Sequence, residues 1–112
     1  MKTTASGLRY QVLRRGAGTV SPAPTDKVKV HYHGTLVDGT VFDSSVDRGV
    51  PMTFPVASEI AGWTEGIQLM KVGDLFKFEI PPNLGYNGAK SKQSHIPPNS
   101  TLVFEVELLG IQ

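Results

Sequence analysis

The chain contains no cysteine, so disulfides, thiolate nucleophiles and cysteine-held zinc are excluded. It has almost no charge excess: 11 basic against 10 acidic side chains give +1. A phosphate-driven nucleic-acid binder would show a basic excess or stripe, so no nucleic-acid partner is expected. No apolar run approaches the ~20 residues that a membrane-spanning helix needs. Residues 1–7 lack the apolar stretch of a signal peptide. The expectation is a chain that stays where it is made, or one from which an export segment has been removed. No internal repeat is present, no G-x-S-x-G marks a nucleophile, and no phosphate-binding glycine pattern precedes a helix.

What is there is a chain of 112 residues, 39% hydrophobic and 19% charged. That composition fits one folded domain over residues 1–112, with 1–6 as a tail. Twelve Gly and eight Pro cut it into short pieces, most of which alternate apolar with polar, as antiparallel strands do. Residues 8–13, 27–36, 41–43, 74–80 and 101–109 read as strands, and 52–56 as a short extended piece. In 27–36, Val28, Val30 and Tyr32 share one face and Lys27, Lys29, His31 and His33 the other. Asp38-Gly39 marks a hairpin turn. Residues 44–51 read as a polar loop.

Residues 58–70 change period. Ile60, Trp63, Ile67 and Met70 recur at helical spacing, with Ser58 as N-cap and Gly73 beyond the far end. Gly62 and Gly66 weaken this helix, which must lean on packing. The sum is an α+β domain, one short helix against a twisted antiparallel sheet. The irregular stretch 84–100 is long for a compact domain, and such loops are often functional.

His31 and His33 sit two apart on a strand face, but no third ligand is evident, so they read as a solvated face and no metal is expected. His95 reads as a surface residue. Asp43 ends a short strand beside Phe42, with Tyr32 and Arg48 as candidate partners; the bland alternative is a carboxylate capping its own loop. Tyr32, Phe42, Trp63, Tyr86 and Phe104 come from different elements, and composition alone would make them core.

Four motifs in order carry more. His31-Tyr32-His33-Gly34-Thr35-Leu36, Asp38 through Ser45, Gly62-Trp63-Thr64-Glu65-Gly66, and Ile96 through Leu109 resemble the FKBP-type peptidyl-prolyl cis-trans isomerases. The similarity runs from about Gly7 to Ile111. Gly7-Leu8-Arg9-Tyr10 resembles the catalytic domains of the Mip-like bacterial members. The resemblance implies a half-open antiparallel sheet of about five strands wrapped around one short helix.

It also implies an apolar pocket between helix and sheet. Trp63 would be its floor, and Tyr32, Phe42, Ile60, Ile96 and Phe104 its walls. Tyr86 would point its hydroxyl inward from the long loop. Asp43 would sit on the rim near Arg48, and the Ile60 N–H would bind a ligand carbonyl. Catalysis would rest on Asp43, Tyr86, Trp63, Phe104 and Tyr32, without cofactor or metal. Substrate or macrolide contacts would come from Phe42, Arg48, Met52, Glu59, Ile60 and Ile96.

The implied partners are proline-containing peptides and proteins, and macrolide inhibitors such as tacrolimus and rapamycin, with the chain a monomer. The sequence departs from the family pattern at Met52, Glu59 and Asn87, and in the polar run 89–95 ending in His95. Those positions bear on drug affinity and partners rather than on the core pocket. A proline-binding or chaperone module with weak catalysis is the second reading, and a merely structural aromatic core the third.

Overall fold

The computed structural model describes residues 1–85, 96–97 and 99–112. Among these residues seven strands form one antiparallel sheet: β1 (Lys2–Thr3), β2 (Arg9–Arg14), β3 (Lys27–Leu36), β4 (Val41–Ser44), β5 (Met52–Pro55), β6 (Leu75–Ile80) and β7 (Leu102–Ile111). The order across the sheet is β1-β2-β6-β7-β3-β4, and β5 also pairs with β3. The open antiparallel sheet is as expected. The first six residues, read above as a tail, include β1, which pairs Lys2 with Tyr10 and Thr3 with Arg9.

Alternation explains the two long central strands. In β3 the side chains of Val28, Val30 and Tyr32 are buried and those between them are not. Leu102, Phe104, Val106 and Leu108 do the same in β7, and Phe76, Phe78 and Ile80 in β6. The three strands therefore present one continuous apolar face. The β3–β4 turn closes at Asp38-Gly39, where Gly39 takes φ +93° and Asp38 Oδ1 accepts the Thr40 N–H at 2.9 Å.

Helix α2 covers that apolar face. It spans Ala61–Ile67, shorter than the expected 58–70, and its N-cap is Ile60 rather than Ser58. Ser58 instead ends a 3-10 turn, Val56–Ser58, and its hydroxyl donates to the Pro55 carbonyl at 2.7 Å. Met70 lies beyond the last helical turn yet is fully buried. The apolar stripe thus records which side chains face the sheet, not how far the helical hydrogen bonds run.

The two helix glycines have a spatial cause. A Cβ on Gly62 would stand 2.7 Å from Ile80, and one on Gly66 2.6 Å from Phe78. The helix gives up propensity to lie directly on β6.

Residues 44–51, read as a loop, contain a one-turn helix, α1 (Ser45–Arg48). Ser44 caps it by accepting the Asp47 N–H at 3.1 Å, and Gly49 ends it in the left-handed region at φ +76°. Four residues are too few to show a helical period.

Candidate active site

Between α2 and the concave face of the sheet lies a cavity of about 110 Å³. Its described lining is Tyr32, Phe42, Asp43, Met52, Phe54, Glu59, Ile60, Trp63 and Phe104. The aromatic members meet edge to face. Trp63 and Phe104 lie 5.0 Å apart at 81°, Tyr32 and Trp63 5.1 Å at 83°, and Phe42 and Phe104 5.3 Å at 87°. Such contacts set positive ring edges against negative faces and hold each ring in one orientation. Gly34 makes the arrangement possible, because a Cβ there would stand 2.7 Å from Phe104 and 2.9 Å from Phe42.

Trp63 sits in the first helical turn of α2 and is buried, with its indole Nε1–H meeting no acceptor among the described residues. Ile60 is the N-cap. Its carbonyl accepts the N–H groups of Trp63 and Thr64, each at 3.0 Å, while no described acceptor meets its own N–H. Phe54 tilts against Trp63 at 5.5 Å and 45°. It was not anticipated as a pocket residue, although it stands two positions after Met52 and so shares that residue's side of β5.

One side of the mouth is polar. The Tyr32 hydroxyl donates to Asp43 Oδ2 at 2.5 Å, and Arg48 Nη2 donates to the Tyr32 oxygen at 3.0 Å. Arg48 Nη1 also donates to Asp43 Oδ1, closing a three-membered ring of side chains. Asp43 thus bonds side chains from β3 and α1 rather than only its own loop. The Tyr32 phenol is pushed up to about 12, first by burial and then by its bond to Asp43, with Arg48 opposing. It remains a protonated donor at neutral pH.

The remaining expected residues fall as follows. Arg48 is on the rim and outside the cavity lining. Ile96 is buried in the core and is likewise not a described lining residue. Tyr86, Asn87 and the run 89–95 lie outside the described residues. His31 and His33 are not simply solvated. Both are half-buried, and their Nδ1 atoms lie 2.6 Å from Ser45 Oγ and 2.8 Å from Ser44 Oγ. Among the described residues, no group of three His, Cys, Asp or Glu side chains could hold a metal ion, and no helix is long and apolar enough to cross a membrane.

The model of the FKBP-type peptidyl-prolyl cis-trans isomerases matches residues 18–109. The chain belongs to that family. FKBP relatives agree over its whole length. It is 59% identical to the isomerase FkpA of Aeromonas hydrophila across 100% of this chain and 41% of that protein. It is 53% identical to the FKBP-type 22 kDa isomerase of Escherichia coli across 99% of this chain and 53% of that one. Against Mip of Coxiella burnetii the identity is 46%, across 100% of this chain and 48% of that one. The crystal structure of FkpA from Escherichia coli superposes with a TM-score of 0.92 at 49% identity, covering 99% of this chain and 51% of that one. The chain spans about half the length of these FKBP relatives.

Proposed function

We propose that this chain accelerates cis–trans rotation about X–Pro bonds in peptides and folding proteins. The observation that carries this reading is the aromatic cavity floored by Trp63 and edged by the Tyr32–Asp43–Arg48 ring. Rotation about a prolyl amide faces a barrier of ~18–20 kcal/mol and takes tens of seconds unaided. No covalent bond breaks, so the reaction asks for no nucleophile.

It needs a site that favours the twisted amide over the planar one. The planar amide is the more dipolar form, because twisting removes its resonance. An apolar cavity that takes the pyrrolidine ring moves the amide out of water and weakens that form. The Ile60 N–H holds one flanking carbonyl during rotation, and the family resemblance assigns the other to the hydroxyl of Tyr86, which lies outside the described residues. Asp43 acts by its field and by fixing Tyr32 and Arg48, not by proton transfer. A barrier lower by about 5–8 kcal/mol gives ~10⁴–10⁶-fold acceleration.

The cavity accepts one small ring, and the proline-like ring of tacrolimus or rapamycin suits it by the same chemistry. The test is turnover of a short X-Pro peptide with and without tacrolimus. Fast turnover blocked by the drug is expected. Turnover without inhibition would remove the macrolide part and point to Met52, Glu59 and residues 87–95. A folded chain without turnover would overturn the enzyme and leave a proline-binding module.

A further inference from the structure

The outer edge of β3 has a gap. β5 pairs with its residues 27–30 and β4 with its residues 33–35, leaving the main chain of Tyr32 between them. Unpaired backbone groups inside a protein need partners. Two buried serines supply them. The Tyr32 N–H donates to Ser45 Oγ at 2.7 Å, and the hydroxyls of Ser45 and Ser44 lie 3.3 and 3.5 Å from the Tyr32 carbonyl oxygen.

Each hydroxyl has one hydrogen and two lone pairs. Ser45 Oγ meets the Tyr32 N–H, the Tyr32 carbonyl and His31 Nδ1. Ser44 Oγ meets the Asp47 N–H, the same carbonyl and His33 Nδ1. All six contacts are satisfied together in one arrangement only. That arrangement, which counts the 3.3 and 3.5 Å contacts as bonds, has both imidazoles donating through Nδ1–H and both hydroxyl hydrogens directed at the Tyr32 carbonyl. Ser45 also opens α1, and its own carbonyl accepts the N–H groups of Gly49 at 2.8 Å and Val50 at 3.2 Å. One turn later α1 returns Arg48 to the Tyr32 hydroxyl and Asp43.

We propose that Ser45, held from behind by His31 as its Nδ1–H tautomer, is a positioning residue for the pocket. It fixes the base of α1 to the Tyr32 backbone and so sets where Arg48 meets Tyr32 and Asp43. This rests on the isomerase reading above. Ser45 touches no substrate; it acts through Tyr32 and Arg48.

The test uses the full chain labelled with ¹⁵N, comparing Ser45→Ala, His31→Leu and His31→Asn with the unmodified protein. Imidazole and guanidinium resonances are read beside kcat and KM on an X-Pro peptide, with thermal melts to establish folding. The expected results are an Nδ1–H signal for His31 and a shifted Arg48 resonance in Ser45→Ala. Its kcat should fall about tenfold, the scale of a misplaced catalytic contact, with KM little changed. His31→Leu should behave like Ser45→Ala, and His31→Asn, whose amide can reach the same hydroxyl, should recover most of the loss.

A folded Ser45→Ala with unmodified kcat and an unmoved Arg48 resonance would overturn the proposal. So would an Nε2–H tautomer, or equal losses in His31→Leu and His31→Asn. Should Ser45→Ala fail to fold, the two His31 variants decide. An unmodified chain without turnover would overturn the proposed function instead, and the Arg48 resonance would then decide the positioning alone.

Discussion

Gly34 faces Phe104 across the β3–β7 ladder, and the space where its Cβ would stand is 2.7 Å from the Phe104 ring. The rings of Phe104 and Phe42 therefore occupy the room that a side chain on β3 would take. Gly34→Ala should displace both rings. We expect a loss of about 1–3 kcal/mol in stability, as for other overpacked cores, read by denaturant unfolding. Turnover should fall further than stability alone requires, because the displaced rings form a cavity wall.

Trp63 is the largest side chain of the cavity and is almost wholly buried. Trp63→Ala should cost about 3–5 kcal/mol and leave a void in the floor of the cavity. Trp63→Phe keeps an aromatic floor and should retain most of the stability. Calorimetric melting of the two variants separates the packing role of the indole from its role as a floor.

Asp43→Ala should bring the Tyr32 phenol down from about 12, since it removes the acceptor, while burial keeps it above the ordinary 10.0. Ultraviolet titration of the phenolate reads this. The sign for stability follows from proton counting. Above pH 10 the unfolded chain releases the phenol proton and the folded chain holds it, so stability falls as pH rises towards 12. That fall should be smaller in Asp43→Ala. Turnover at neutral pH should also drop, because Arg48 loses one of its two anchors at the mouth.

Asp74 is a buried carboxylate whose role is structural. Its oxygens accept the Gly16 N–H at 2.8 Å and the Lys71 N–H at 3.0 Å, with Arg15 at 3.3 Å. Burial pushes its pKa up, but those donors outweigh burial and hold it below the ordinary carboxylate range. Its stabilisation is therefore full above about pH 4 and is lost as pH falls through the lowered folded value. Asp74→Asn should cost about 1–3 kcal/mol at neutral pH by leaving a backbone donor unpaired. The gap between the two proteins should close in acid, as read by unfolding at a series of pH values.

Much of this molecule is visible in its residues. The alternation of Val28, Val30 and Tyr32 placed β3 and chose its buried face, and Asp38-Gly39 placed the turn. The four motifs pointed Tyr32, Phe42, Asp43, Trp63 and Phe104 to one pocket, and all five line the same cavity. Other features were hidden for physical reasons. α1 is capped locally by Ser44, three residues before Asp47, but it is held against an unpaired edge of β3 that no local pattern shows. The stripe at Ile67 and Met70 outruns α2 because burial continues after the helical hydrogen bonds stop. The inward side of Phe54 is not legible in sequence, because a four-residue strand gives too little alternation to tell its buried face from its exposed one. The linkage of His31 and His33 to two serines depends on where β4 turns away from β3.

The β3–β7 pairing also bears on how the chain reaches its native state. Tyr32 stands opposite Val106 there, so the central ladder joins strands that most of the sequence separates. Closing so long a loop costs entropy before any contact repays it, and folds of that kind are slow to form. The walls of the cavity come from both strands and from β4, β5 and α2, which lie between them in sequence. Truncation before β7 should therefore leave a chain with neither the pocket nor a stable sheet.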